Sequence, residues 1–174
     1  MFQPLCFEDQ KATFKTYDPR DLKTKDKDEP GTDLVIVVKG SNALLALIDP
    51  EMRDMFYTYA DQAEDTPLVE KTDIEKMTKL RAGGKFAEQK PKGVELIGAN
   101  LSIDYGAKKD PLVFETCDLK DVHVSMFDGG TVHITFKAKT KATGDQVKKL
   151  HGLLGAEISF TVLPPGADQN HLPL

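Results

Sequence analysis

The sequence predicts an α+β fold, a single domain over residues 1–174 built on a largely antiparallel sheet with two or three packed helices. Three observations carry that reading. Apolar residues alternate at period two in several stretches, most clearly across residues 122–138. Two other stretches, near 50–60 and 143–155, carry helix-spaced apolar residues behind capping residues. The length of 174 residues suits one core, because a chain of roughly 150 residues already buries about 70% of its unfolded surface.

The first strand is expected from Ala12 to Tyr17, where Ala12, Phe14 and Thr16 alternate with more polar neighbours. Residues 18–32 follow with nine charges and two prolines in fifteen positions, too polar to add to a core, and are expected as a mobile solvated loop, with a partner-binding finger as the sharper alternative. Asp33 to Lys39 is continuous and β-branched, which fits a central strand covered on both faces. Asp49-Pro50 can start a helix, since Asp caps free amides and Pro fits the first turn. Met52, Met55, Phe56 and Tyr59 then fall at i, i+3, i+4 and i+7, so a helix is expected from Pro50 to Ala60.

Residues 61–93 are the least readable. Thr72-Asp-Ile-Glu has the form of a capping box, and Ile74, Met77 and Leu80 recur every three residues, which favours a short helix. Gly83-Gly84 and Gly93 lack the spacing and the Lys-Ser/Thr of a phosphate loop and read as turns. Farther on, Leu101, Ile103 and Tyr105 alternate, 106–111 turns the chain, and Leu112 to Cys117 continues the sheet. Thr143 opens a helix that sets Val147, Leu150 and Leu154 on one face and stops at a glycine. Ile158, Phe160 and Val162 form a last strand, and residues 166–174 are expected as a loose tail.

The hairpin within 122–138 has a register that can be derived. A two-residue loop would pair Val124 with His133 and mix apolar with polar side chains on each face. A three-residue loop, Asp128-Gly129-Gly130, pairs Met126 with Val132, Val124 with Ile134 and Val122 with Phe136, so the aliphatic groups share one face. Gly130 then supplies the positive φ that ends such a turn. The opposite face carries His123, Ser125, His133 and Thr135, with Ser125 across from His133. The two histidines become diagonal neighbours roughly 7–8 Å apart at the backbone. Zinc needs three or four ligands, so without a further carboxylate this face is expected to be polar and free of metal.

No Gly-x-Ser-x-Gly, Cys-x-x-Cys or His-Glu-x-x-His occurs, so the nucleophilic, redox and zinc-peptidase templates fail on residue type. No catalytic residue and no cofactor are expected. Asp104 is flanked by apolar alternation, which a rim position explains. The net charge of -5 disfavours polyanions overall, so a nucleic-acid site would have to be local. The candidate is Lys137, Lys139 and Lys141 at period two, joined by Lys148 and Lys149 and by Lys108-Lys109 in a turn, with Phe127 or Tyr105 as a stacking ring. Lysines on an exposed strand also blunt edge-to-edge aggregation, which needs no ligand. With two cysteines, no signal-peptide pattern and no apolar run longer than 43–48, the chain is expected in the cytoplasm, reduced and away from membranes.

The segments Asp33-Leu-Val-Ile-Val-Val, Leu47-Ile-Asp-Pro-Glu-Met-Arg-Asp-Met-Phe-Tyr and Phe127-Asp-Gly-Gly-Thr-Val-His-Ile-Thr-Phe-Lys-Ala through Gly155-Ala-Glu-Ile-Ser-Phe-Thr-Val resemble a family of uncharacterised tailed-bacteriophage and prophage proteins. The similarity is clearest in the last 50 residues and carries no catalytic residues across. It implies a bacterial host cytoplasm and a non-enzymatic accessory protein that binds a host defence or replication protein. Single-stranded DNA binding is the alternative, and a small-molecule-sequestering oligomer is the third.

Overall fold

The computed structural model describes residues 2–20, 31–59, 76–105 and 110–167. Among them, nine strands and two α-helices follow in order: β1 (Phe7–Arg20), β2 (Gly31–Ser41), α1 (Met52–Phe56), β3 (Tyr57–Thr58), β4 (Lys79–Leu80), β5 (Glu88–Gln89), β6 (Leu96–Asp104), β7 (Leu112–Met126), β8 (Thr131–Lys141), α2 (Gly144–Gly152) and β9 (Glu157–Leu163). Six of the strands close on themselves in the order β1-β2-β8-β7-β6-β9 and back to β1, every pairing antiparallel. The expected antiparallel sheet is therefore present, but it is a closed barrel. The helices do not form a layer on an open sheet: α1 has 5 residues and α2 has 9.

Period-two alternation aims one face of each strand inward. Phe7, Phe136 and Phe160 meet inside, with ring centroids 5.6, 5.0 and 5.8 Å apart. Leu34, Ile36, Leu101, Ile103 and Leu119 fill the space around them and are fully buried. A barrel of eight strands is only just wide enough for side chains to fill, so six strands close around these rings.

One end of the barrel is covered by the excursion between β2 and β6. Leu45, Ile48, Met52, Tyr57, Met77 and Leu80 all join the buried cluster there. The Leu5 N–H bonds Leu47 O at 2.7 Å and ties the N-terminal segment to it. Across the other end lies α2, whose N-cap Thr143 and Gln146 form a reciprocal capping box. Gln146 Nε2 also donates to Val113 O at 3.0 Å. Leu150 is fully buried, and Tyr17 Oη lies 3.3 Å from His151 Nδ1.

Several expected bounds change. Strand β1 runs to Arg20 and β2 starts at Gly31, pairing Asp18 with Asp33, Pro19 with Thr32 and Arg20 with Gly31. The ends of the charged stretch 18–32 therefore belong to the sheet; 21–30 lie outside the described residues. The helix read over Pro50–Ala60 ends at Phe56, because Tyr57 turns into a strand that pairs with Leu80 and buries its ring completely. Met55, taken for the apolar stripe, is 54% exposed. Thr72–Glu75 lie outside the described residues, and Lys79–Leu80 is strand where a helix was expected. Helix α2 ends at Gly152, so the expected Leu154 lies beyond it and is 42% exposed, while Leu150 within the helix and Leu153 at its C-cap are buried. Of the tail, 166–167 are described and 168–174 are not. No helix among the described residues is long and apolar enough to cross a membrane.

Candidate interaction surface

The β7–β8 hairpin has the derived register at its tip. Met126 pairs with Val132, Val124 with Ile134 and Ser125 with His133, around the loop Asp128-Gly129-Gly130. Gly130 takes φ +81°. Farther down, the register shifts between Lys120 and His123, where Asp121 adopts φ +54°, so the expected Val122–Phe136 step falls at a β-bulge. Val122 and Phe136 still face inward.

The turn is built into the molecule. Asn42 N–H donates to Gly130 O at 2.7 Å, and Gly129 N–H donates to Thr78 O at 2.9 Å. Leu80 N–H donates to Asp128 Oδ1 at 2.9 Å. The buried Tyr57 hydroxyl donates to Phe127 O at 2.9 Å and accepts from Phe127 N–H at 3.2 Å. Asn42 Nδ2 completes the clamp by donating to Met77 O. Three segments far apart in sequence, at Asn42, at Tyr57 and over 77–80, thus hold one three-residue loop and its flank, which fixes the direction of the side chains beside it.

On the outer face of that hairpin, His123, Ser125, His133 and Thr135 stand together as the alternation requires, with His123 opposite Thr135. A residue that the sequence reading missed joins them. Strand β5 pairs with β7 and sets Glu88 opposite Ser125, where its Oε2 accepts from Ser125 Oγ at 2.8 Å and lies 2.8 Å from His123 Nε2. Lys39 pairs with His133 from the β2 side. Partial burial holds the His133 imidazole below its ordinary value; Lys39 pushes the same way, and Glu88 pulls back upward. Phe127 packs on His133 with ring centroids 4.8 Å apart and remains 43% exposed. Phe86, two residues before Glu88, is 60% exposed.

Glu88 supplies the outside carboxylate that a metal at His123 would need. Even so, no three His, Cys, Asp or Glu side chains among the described residues are grouped to hold a metal ion. The Glu88 oxygen instead bridges two hydrogen-bonding side chains, which ties β5 to the hairpin.

Lys137, Lys139 and Lys141 lie on the same outer face of β8, farther from the tip. Asp121 at the bulge brings its Oδ2 to 3.7 Å from Lys137 Nζ and 3.9 Å from Lys139 Nζ. Lys148 sits 3.9 Å from Asp145 on α2, and Lys149 is exposed on the same helix; Lys108 and Lys109 lie outside the described residues. The ladder is therefore real as a row, but two of its three members share a carboxylate. Phe127, one proposed stacking ring, stands at the tip of the hairpin beyond the row; Tyr105 lies past the end of β6. Asp104 is exposed at the end of β6, the expected rim position.

The thiols offer little chemistry. Cys117 is completely buried, and burial, helped by Asp118, pushes it up to about 12. Cys6 is also raised by burial. Thiolate, the reactive form, is scarce at both.

No family model, curated protein or solved structure matches the chain.

Proposed function

We propose that the chain is a non-enzymatic accessory protein of the tailed-phage type, acting in the bacterial cytoplasm by binding a host defence or replication protein through the outer wall of the β7–β8 hairpin. The phage setting rests on the resemblance in sequence. One observation carries the choice of a protein partner: Phe127 keeps 43% of its surface exposed on a loop clamped by Asn42, Tyr57, Thr78 and Leu80. A rigidly held, half-open aromatic ring packed beside the His133 imidazole suits an interface anchor. The barrel interior is filled with side chains, so recognition falls to the outside.

The test is capture of a bacterial protein from host lysate on immobilised protein. One stoichiometric partner is expected, with capture falling about tenfold or more in Phe127→Ala while the melting curve moves little. Capture that ignores Phe127 would remove the anchor from the account.

A second reading, single-stranded nucleic-acid binding, is kept by one observation: Phe127 and His133 stand at the head of the row formed by Lys137, Lys139 and Lys141. Asp121 beside that row counts against it, because a phosphate approaching Lys137 or Lys139 meets a carboxylate within 4 Å of both.

A further inference from the structure

Two clefts lie along β7 outside the barrel. One, of about 770 Å³, opens where β7 runs past the end of β8, between Val113–Thr116 on one side and Lys139–Lys141 on the other, with Gln146 of α2 at its end. The other, of about 620 Å³, lies between the 90–95 segment and residues 120–123 of β7. Lys120 lines both, so the two clefts form one path across β7.

Lysines stand at each end and in the middle of that path: Lys90 and Lys92, then Lys120, then Lys139 and Lys141. Lys90, Lys92 and Lys141 are exposed and form no ion pair among the described residues. The carboxylates in between are partly engaged by the chain itself. Asp118 Oδ1 accepts the Gly98 N–H at 3.0 Å while its Oδ2 lies 4.0 Å from Lys120 Nζ, and Asp121 serves Lys137 and Lys139, so the uncompensated lysines are those at the two ends. Glu95 and Glu115 also line the two clefts and are exposed.

We infer that this path takes an extended acidic segment of the partner protein, which rests on the protein-binding reading above and adds a second contact to it. About ten residues of β7, from Val113 to His123, flank the path, which at roughly 3.3 Å per residue is long enough for an extended segment of similar length. A peptide can set acidic side chains against Lys90, Lys92 and Lys141 and neutral ones against Glu95, Glu115, Asp118 and Asp121. A nucleic-acid strand cannot vary its charge in this way, since every nucleotide carries a phosphate. The path also lacks a stacking ring: Phe114, which lines it, is 3% exposed.

The probes are a fluorescent (Glu-Thr)5 peptide, its (Lys-Thr)5 counterpart and a ten-base oligothymidine, followed by anisotropy at low salt. Saturable, salt-sensitive binding of (Glu-Thr)5 is expected, weakened about tenfold by the triple substitution Lys90→Gln, Lys92→Gln, Lys141→Gln. Neither (Lys-Thr)5 nor the oligothymidine should show saturable binding. No binding of (Glu-Thr)5, equal binding by the folded triple variant, or tighter binding of the oligothymidine would each overturn the assignment. If a lysate partner is still captured by the triple variant at full strength, the path is excluded while the protein-binding reading stands. Loss of all capture by the wild-type protein would remove that reading instead.

Discussion

The two ends of the β7–β8 pair are built from the same strands and are held very differently. At the tip, backbone and side-chain hydrogen bonds from Asn42, Tyr57, Thr78 and Leu80 converge on residues 127–130. At the far end, the ladder stops at Asp118 opposite Lys139, and two side chains bridge the gap: Thr140 Oγ1 donates to Thr116 O at 2.9 Å, and Gln146 Nε2 to Val113 O at 3.0 Å. A closed barrel can thus offer a rigid anchor point and an open, lysine-edged cleft on one pair of strands. The first fixes where an aromatic contact sits, and the second leaves room for a segment of another chain.

The largest expected effect is on the barrel that both ends share. Phe160→Ala removes a ring that packs against Phe7 and Phe136, and should destabilise by about 3–5 kcal/mol in a urea melt. A loss below 1 kcal/mol would mean that the three rings do not form the core contact described.

The next test separates the clamped loop from an ordinary turn. Gly129 and Gly130 both have positive φ, but a Cβ at Gly130 would meet Thr78 Cγ2 at 3.1 Å, whereas at Gly129 it meets nothing within 4 Å. Gly130→Val should therefore cost about 2–4 kcal/mol and Gly129→Val about 1–2. Equal costs would show that the 78–80 segment does not press on the loop. Tyr57→Phe keeps the packing and removes the hydroxyl, with an expected loss of about 1–3 kcal/mol. At the open end, Gln146→Ala removes both a capping partner and the bridge to Val113, and about 1 kcal/mol is expected.

The smallest effect is on pH dependence. Because the folded protein holds His133 below the ordinary imidazole value of 6.5, the unfolded chain takes up a proton first as pH falls. Stability from this group is complete above that value and declines as pH drops below it toward the folded pKa. The fall in Tm between pH 7.5 and 5.5 should be smaller in His133→Gln than in the wild-type protein. An identical fall would show that Lys39 and partial burial do not act on the imidazole.

The legible parts of the fold are those that repeat. The alternation of Val122, Val124 and Met126 against Val132, Ile134 and Phe136 showed the inward face of all six, and the register of Val124 and Met126 at the tip, because a slip by one residue would have exposed the whole set; the bulge that displaces the Val122–Phe136 step left no mark on the alternation. Thr143 and the helical spacing behind it announced α2, while the capping partner Gln146 came only with the structure. Closure of the barrel depends on β1 meeting β9 at a separation of about 150 residues, with Phe7 paired to Val162, and nothing in either stretch names its partner. Strands β3, β4 and β5 have two residues each, too few to show a period. Glu88 was therefore missed, although it completes the His123–Ser125 face. Helical spacing also misled at Met55 and Tyr59, where tertiary burial of Tyr57 decided the local structure instead. The lysine row was visible by its period; its countercharge was not, because Asp121 reaches Lys137 and Lys139 from a bulge on the neighbouring strand.

The most direct test of a protein-directed role is a salt series with fluorescent single-stranded DNA. No saturable binding by the wild-type protein is expected even at about 20 mM salt, where phosphate contacts are strongest. Tight binding at low salt would contradict it, the more so if log affinity falls with log salt at about 0.7 per contact and the folded triple variant Lys137→Gln, Lys139→Gln, Lys141→Gln flattens that slope by about two units.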